Sequence, residues 1–557
     1  MGGGGTVTDR PENVTLNDGN GLSEKKAGEF TRRVFLIFGS NLFGAVLGAI
    51  TLPLIGRYIL QTDFGFVGFA LGFMGALSFL RNMGFSKAHV KYISEGHDIG
   101  ECVGTTMAIF SLLSLVFSGA VLSTLFIWTH VFGKEFSDPE AWPTLYAILL
   151  YFIILSIQNV FFSTFQGEIK TALQESLTFS MNVSRFALTL IVVFIRGGAF
   201  ALALTYTLSA LTSLLVGFGW FLKHEYAIKK PSFDLAKKYA RFAIPLSISG
   251  SITAISNNID RVMIQFFWDS KKVATYFMAQ RVTSPILTLG FSVSLIFFPA
   301  AVQYLSRGKT EEARKLAREA SRYTVIVLLP AVAIFTAMPE PIMNLIGAAY
   351  ARRPYVLIPL SMFAFTRSLM VLFNNLNNAL NRPKVTGFVL LVMSGVNILL
   401  NLILIPTSLF GFPLFGLAEV GAGIATAISC TIALLTSIWF ANKQLGGIIP
   451  TTWAKEFVSA AVMGVFLYVL STINEPVRFY EVLLYAGAGV GVYSLCLYAL
   501  RDLTERDFSL FFESINPHLM GRYVYHEVKG ERKKKKEGKS RGKDYMDDES
   551  QKGGVDP

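Results

Sequence analysis

The sequence predicts an all-α polytopic membrane protein of about fourteen transmembrane helices: two six-helix bundles related by an internal repeat, plus two C-terminal helices. Three observations carry this expectation. Apolar runs of bilayer-spanning length fill the chain from residue 32 to 500, the basic residues between them alternate in abundance, and similar segments recur after 206 to 207 residues.

Composition sets the class. Of 557 residues, 52% are hydrophobic and 16% charged, whereas soluble domains carry about 25% charged residues. A deficit of that size leaves too little polar surface to face water. Phenylalanine and glycine, 48 of each, suit a bundle in which aromatics meet lipid and small residues let helices approach. Cys102, Cys430 and Cys496 are far apart and show neither a disulfide framework nor metal-ligand spacing. The polar first thirty or so residues have no early apolar core, so no cleavable signal peptide is expected.

An apolar helix needs about 20 residues to cross the hydrocarbon core. Runs that satisfy this lie at 34–56, 64–84, 104–128, 143–166, 177–195 and 198–222. Four more follow at 242–267, 274–302, 323–345 and 355–376, and the last four at 385–405, 421–441, 456–473 and 480–500. The chain then divides into a polar cytoplasmic N-terminus (1–31), a first bundle (32–222), a cytoplasmic linker (223–241), a second bundle (242–441), two additional helices (442–500) and an expected interfacial segment with a basic cytoplasmic tail (501–557).

The basic residues test this map. With the N-terminus inside, the inner segments hold Arg32, Arg33, Arg81, Lys87, Lys91 and Lys170. They also hold six basic residues between Lys223 and Arg241 and six between Arg307 and Arg322. The outer loops hold only Arg57, Lys134, Arg196, Lys271, Lys272, Arg352, Arg353 and Arg478. That asymmetry is positive-inside topology, with both termini cytoplasmic and the plasma membrane as the expected location. The longest outer loop, 130–142, is far shorter than the roughly 50 residues of the smallest independent domains, which disfavours an external active site.

The repeat shows at two places. Phe35 and Phe242 each open a helix, and the Gly84–Phe85 and Gly290–Phe291 pairs lie in the helices that follow. The ends of the fourth and tenth spans, NVFFSTFQGEIKTALQ (159–174) and FNNLNNALNRPKVTG (373–387), are both polar-studded and break into a basic turn. Two bundles in the same orientation imply an axis along the membrane normal and a cavity between them.

Four stretches carry a family likeness: LPLIGRYILQTDFGFVGFA (52–70), RFAIPLSISGSITAISNNIDRVMIQFF (241–267), GVNILLNLILIP (395–406) and VGAGIATAIS (420–429). In that order and spacing, over residues 32–500, the chain resembles the polysaccharide and lipid-linked oligosaccharide flippases of the multidrug/oligosaccharidyl-lipid/polysaccharide (MOP) exporter superfamily. The resemblance implies alternating access between the bundles and a polyprenyl-linked oligosaccharide as cargo. It also makes glycan-assembly enzymes candidate partners.

Charges inside a bilayer are costly and mark cavities or partners. Arg185, Arg261, Arg281 and Arg367 lie within spans, accompanied by one carboxylate, Asp260. Arginine presents a planar fork of donors suited to phosphate, so these four are candidate substrate-binding residues for the diphosphate of the implied cargo. Snorkelling to headgroups is the alternative for Arg261 and Arg281. Asp260 is a candidate for ion coupling or for an ion pair. The asparagines at 257, 258, 374, 375, 377 and 378 could bind sugar hydroxyls or tie helices together. The basic run ERKKKKEGKSRGK (531–543) fits anionic lipid headgroups; without interleaved aromatics it does not suggest nucleic acid.

No GxxxxGK[ST] segment is present, no cofactor is implied, and the protein is not expected to be an enzyme. The leading expectation is a flippase for a lipid-linked oligosaccharide, moving it from the inner to the outer leaflet for surface polysaccharide or glycoprotein assembly. The alternatives are a multidrug or small-amphiphile exporter of the same fold and a membrane-embedded glycan polymerase.

Overall fold

The computed structural model describes the backbone of residues 19–136 and 138–503, with side chains from Leu36 onward except Phe38, Leu246, Ile248 and Ser249. The interfacial segment beyond Leu503 and the basic tail therefore lie outside the described residues. The compact unit considered below is Phe38–Asp502.

The first bundle begins with α1 (Gly19–Tyr58) and α2 (Gln61–Leu77), which turn at Ile59–Leu60. Short α3 (Phe79–Asn82) and α4 (Phe85–Ser94) continue α2 after a 49° bend. Left-handed Met83 (φ 43°) and Gly84 (φ 80°) separate them. α5 (Ile99–Phe126), α6 (Ala141–Gly167), α7 (Thr171–Phe194) and α8 (Ala199–Lys223) complete the bundle. α9 (Phe233–Ser256) and α10 (Ile259–Phe267) open the second, followed by α11 (Ser270–Ser306) and α12 (Thr310–Ala337). Short α13 (Pro339–Ile346) and α14 (Ala348–Ala351) lead to α15 (Leu357–Ala379), α16 (Pro383–Leu404) and α17 (Ala418–Leu445). A two-stranded hairpin, Ser408–Leu409 with Phe412–Pro413, joins α16 to α17. α18 (Trp453–Ile473) and α19 (Phe479–Ala499) pair with each other after the second bundle.

Twelve described helices are long and apolar enough to cross a bilayer, and thirteen spans result when the bent α2–α4 pair is counted. The remaining expected span, 242–267, is broken between α9 and α10 at Asn257 and Asn258. Its apolar run gives no warning of the break, although two adjacent asparagines are poor helix formers. The segment expected as a linker carries the first turns of α9, and Leu235, Tyr239 and Ala243 are buried in the hydrophobic core of the first bundle. Polar ties join them there: buried His89 on α4 contacts Tyr239 Oη at 3.2 Å, Thr164 Oγ1 at 2.8 Å and Thr106 Oγ1 at 2.7 Å.

The internal repeat appears as a repeated packing scheme. α2 packs on α6, α6 on α8 and α7 on α8; in the second bundle α11 packs on α15, α15 on α17 and α16 on α17. The basic end of the molecule is tied across its loops. Lys229 meets Asp98 at 2.8 Å, and this contact, with the backbone N–H of Glu101, holds Asp98 below the usual carboxylate range.

The bundles meet closely along α2. Gly65, Gly68, Gly72 and Gly75 lie three or four residues apart, so they form one face of the helix. A Cβ on Gly65 would overlap the carbonyl of Ser270. One on Gly68 would stand 2.8 Å from Phe277, and one on Gly75 2.6 Å from Asn258. This is the small-residue logic of membrane helix pairs, in which backbones approach because side chains are missing. Gly65→Val is expected to destabilise the protein by about 1–3 kcal/mol through overpacking, read as a lowered melting temperature in detergent. Gly39→Ala, which meets open space, is the control.

Candidate functional site

The seam along α2 leaves two cavities within the unit. The first, about 350 Å³, is lined by Gly44, Gly48 and Leu52 of α1, Asn182 and Arg185 of α7, Tyr206 of α8, and Arg281 and Pro285 of α11. The second, about 440 Å³, is lined by Asn257, Asp260 and Arg261 around the α9–α10 break, by Phe277 and Arg281, and by Arg367, Asn397 and Thr426 of α15, α16 and α17. All five charged residues singled out in the sequence border these cavities, and Arg281 borders both.

Each arginine is held differently. Arg281 is exposed to the cavities; its guanidinium lies 4.9 Å from the Phe277 ring, and it has no ion-pair partner among the described residues. Arg185 donates from Nε to Ser209 Oγ at 3.3 Å and sits over Tyr206 at 4.4 Å and Tyr151 at 5.8 Å, while its Nη2 is buried without a hydrogen-bond partner. Arg367 points Nη1 at the sulfur of Met393, 3.2 Å away. Arg261 is different: only 8% exposed, it donates to Gly68 O at 3.3 Å and to Asn258 Oδ1 and stacks on Phe277 at 5.0 Å. Gly72 makes room for its stem. Arg261 thus spans the seam between the bundles, and its head does not reach the membrane surface as a snorkelling side chain would.

Asp260 is 2% exposed and forms no ion pair with Arg261 or with any other described residue. Four neutral donors enclose it. Tyr276 Oη (2.5 Å) and Thr426 Oγ1 (2.9 Å) donate to Oδ2, and the amides of Asn401 (2.6 Å) and Asn397 (3.4 Å) donate to Oδ1. The carboxyl therefore gathers α10, α11, α16 and α17. Asn397 and Asn401 stand at i and i+4 in NILLN, so they share a face of α16. That spacing was available in the sequence, but nothing in it paired the face with Asp260.

The asparagines of α15 act as helix ties. Asn374 Oδ1 accepts from Ser437 Oγ at 2.8 Å, Asn377 donates to the Ser437 carbonyl at 3.0 Å, and Asn378 Oδ1 accepts from Thr386 at 2.8 Å. Asn257 instead faces the second cavity. Arg81, assigned by sequence to the inner surface, reaches into the first bundle: Nη1 lies 3.5 Å from Ser156 Oγ and the guanidinium 5.7 Å from the Phe152 ring.

Two helical bundles that enclose arginine-lined cavities within the apolar span define a polytopic membrane transporter. Two family models match the chain, one described as polysaccharide biosynthesis protein over residues 30–305 and the other as MatE over residues 245–407. Both family matches, with the fold, support a transporter of the MOP exporter superfamily. An uncharacterized membrane protein of Methanocaldococcus jannaschii is 21% identical over 449 residues, 77% of this chain and 86% of the relative. A probable flippase, AglR of Haloferax volcanii, is 26% identical over 269 residues, 46% of this chain and 53% of the relative. Among solved structures, the lipid II flippase MurJ in an inward closed conformation superposes with a TM-score of 0.68 at 15% identity, covering 84% of this chain and 99% of MurJ. An inward-facing multidrug resistance MATE family transporter gives 0.57 at 16% identity, covering 72% of this chain and 98% of that one. These structural likenesses extend to the fold.

Proposed function

We propose that this transporter is a flippase carrying a lipid-linked oligosaccharide from the inner to the outer leaflet, with the cargo's diphosphate bound around Arg281. One observation carries this reading: Arg281 joins two cavities that together present four arginines and a single carboxylate. That carboxylate is already enclosed by four neutral donors. The net field in the cavities is positive, which suits a diphosphate and opposes a cationic drug. Arg185 and Arg367 flank Arg281 from the first and second bundle and supply further forked donors. Tyr206, beside Arg185, offers an aromatic face to a sugar ring. The relative named as a probable flippase supports the same class of activity. Asp260 is the candidate coupling group. The basic end faces the cytoplasm of the plasma membrane, and the two bundles alternate access about the α2 seam.

The test is transbilayer movement of a fluorescent polyprenyl-diphosphate oligosaccharide in proteoliposomes. Wild type should move it, and Arg185→Ala and Arg367→Ala should each slow it by about tenfold, the equivalent of one weakened charge-assisted hydrogen bond. No movement above empty liposomes, together with gradient-driven uptake of a small organic cation, would replace this reading with the drug exporter.

A further inference from the structure

A third cavity, about 540 Å³, opens between the α3–α4 turn of the first bundle and α9 and α16 of the second, at the end of the molecule rich in lysines. Arg81 and Lys87 line it with the hydroxyl-bearing Ser78 and Ser247, and no carboxylate does. We propose that this cavity is a separate phosphate-binding station, in which Arg81 and Lys87 receive the cargo's diphosphate before it passes to Arg185 and Arg281. The assignment rests on the flippase reading above and adds an entry site to it.

The state of the two cations supports the proposal. Lys87 is exposed and has no ion-pair partner among the described residues. Arg81 also lacks an acidic partner among them; its contacts are Ser156 and Phe152, and its Nε is buried without a hydrogen-bond partner. Snorkelling does not explain Arg81. Ser156 lies eleven residues before the end of α6, about 16 Å into the bundle at 1.5 Å per residue. An arginine carried to that depth without a counter-charge is costly unless an anion or water visits it.

The next cation continues the series. Tyr151, adjacent to Phe152 on α6, lies 5.8 Å from the Arg185 guanidinium. Arg185 shares the first cavity with Arg281. Lys87, Arg81, Arg185 and Arg281 thus form a succession of cations from the basic end to the junction of the central cavities. None of the four has a carboxylate partner among the described residues, which leaves each able to hand a diphosphate onward.

A suitable probe is farnesyl diphosphate, with full-length protein in nanodiscs and acylation of Lys87 by an amine reagent followed by peptide mass spectrometry. In phosphatidylcholine nanodiscs, farnesyl diphosphate should slow acylation of Lys87 by about fivefold, the equivalent of about 1 kcal/mol per basic contact, and farnesol should not. Arg81→Gln should weaken this protection, while Arg81→Lys should keep most of it. Because Arg81 is enclosed, flipping by the surface variant Lys87→Gln gives an independent reading. Its half-saturating cargo fraction should rise about fivefold with maximal rate retained. Equal acylation with and without farnesyl diphosphate overturns the station, whether or not the protein flips cargo. Protection by phosphatidylglycerol that farnesyl diphosphate cannot displace overturns its assignment to cargo and makes it a lipid-headgroup site. Protection by farnesyl diphosphate in a protein that flips nothing keeps the phosphate station and defeats only the flippase reading.

Discussion

Replacing Arg281 by alanine is expected to lower the initial rate of flipping of a polyprenyl-diphosphate oligosaccharide by about 100-fold. The size follows from its position. Arg281 borders both central cavities, so a diphosphate there would take both prongs of its fork. Each charge-assisted hydrogen bond contributes about 1.5–3 kcal/mol, and 1.4 kcal/mol is a factor of ten. The structural cost should be small, because the guanidinium rests on Phe277 and has no acidic partner among the described residues. A melting temperature near that of wild type, with flipping lost, is the signature of binding. Arg281→Lys should fall between, since lysine keeps the charge and loses the planar fork. Arg261→Ala is the useful contrast. It removes a buried tie between Gly68 and Asn258 and should lower stability before it affects binding. Wild-type flipping by both Arg281 variants would remove the phosphate from this junction and, with it, the reason for preferring an anionic cargo.

The fold was more legible in the sequence than the site because a bilayer dictates helix length and loop charge. Those constraints act on each segment independently of its neighbours. The six spans of the first bundle and the paired helices α18 and α19 followed from apolar length alone. The break at Asn257–Asn258 and the bend after Leu77 escaped that rule because both interrupt apolar runs without interrupting their hydrophobicity. The outer loop at 130–142 also concealed structure. Its start continues α5 as a π turn, Ile127–Val131, and Phe136 packs against Phe66, Phe69, Trp128 and Trp142. Charges within spans could be listed, but their partners could not, since these lie in helices remote in sequence. Asp260 depends on Asn397, Asn401 and Thr426, more than 130 residues away. Arg81 was counted with the inside segments by sequence position, a count that does not reveal its side chain reaching back toward Ser156 and Phe152. The glycines of α2 were visible at helical spacing, but the surface they admit became apparent only with α10 and α11 in place.

Asp260→Asn is expected to leave the protein folded and to abolish the response of flipping to an imposed cation or proton gradient. The carboxyl is the single acidic group lining either central cavity, and the donors around it are all neutral. No cation of the protein pairs with the carboxyl among the described residues, and rotating the Asn397 and Asn401 amides would turn their oxygens toward an ion bound beside it. Occupancy would then alter the packing of α10, α16 and α17, which meet at this residue, and so bias the second bundle between its two arrangements. Asparagine keeps the shape and one acceptor oxygen but removes the charge. Asp260→Ala does something else: it orphans four donors, and each buried orphan costs about 1–3 kcal/mol. The two variants therefore separate coupling from structure. The decisive measurements are melting temperature and flipping rate under sodium, potassium and proton gradients. Coupling predicts Asp260→Asn near wild type in stability and flat in gradient response, with Asp260→Ala strongly destabilised. If Asp260→Asn follows gradients as wild type does, or wild type follows none, the carboxyl is a four-helix tie and the energy for transport enters elsewhere.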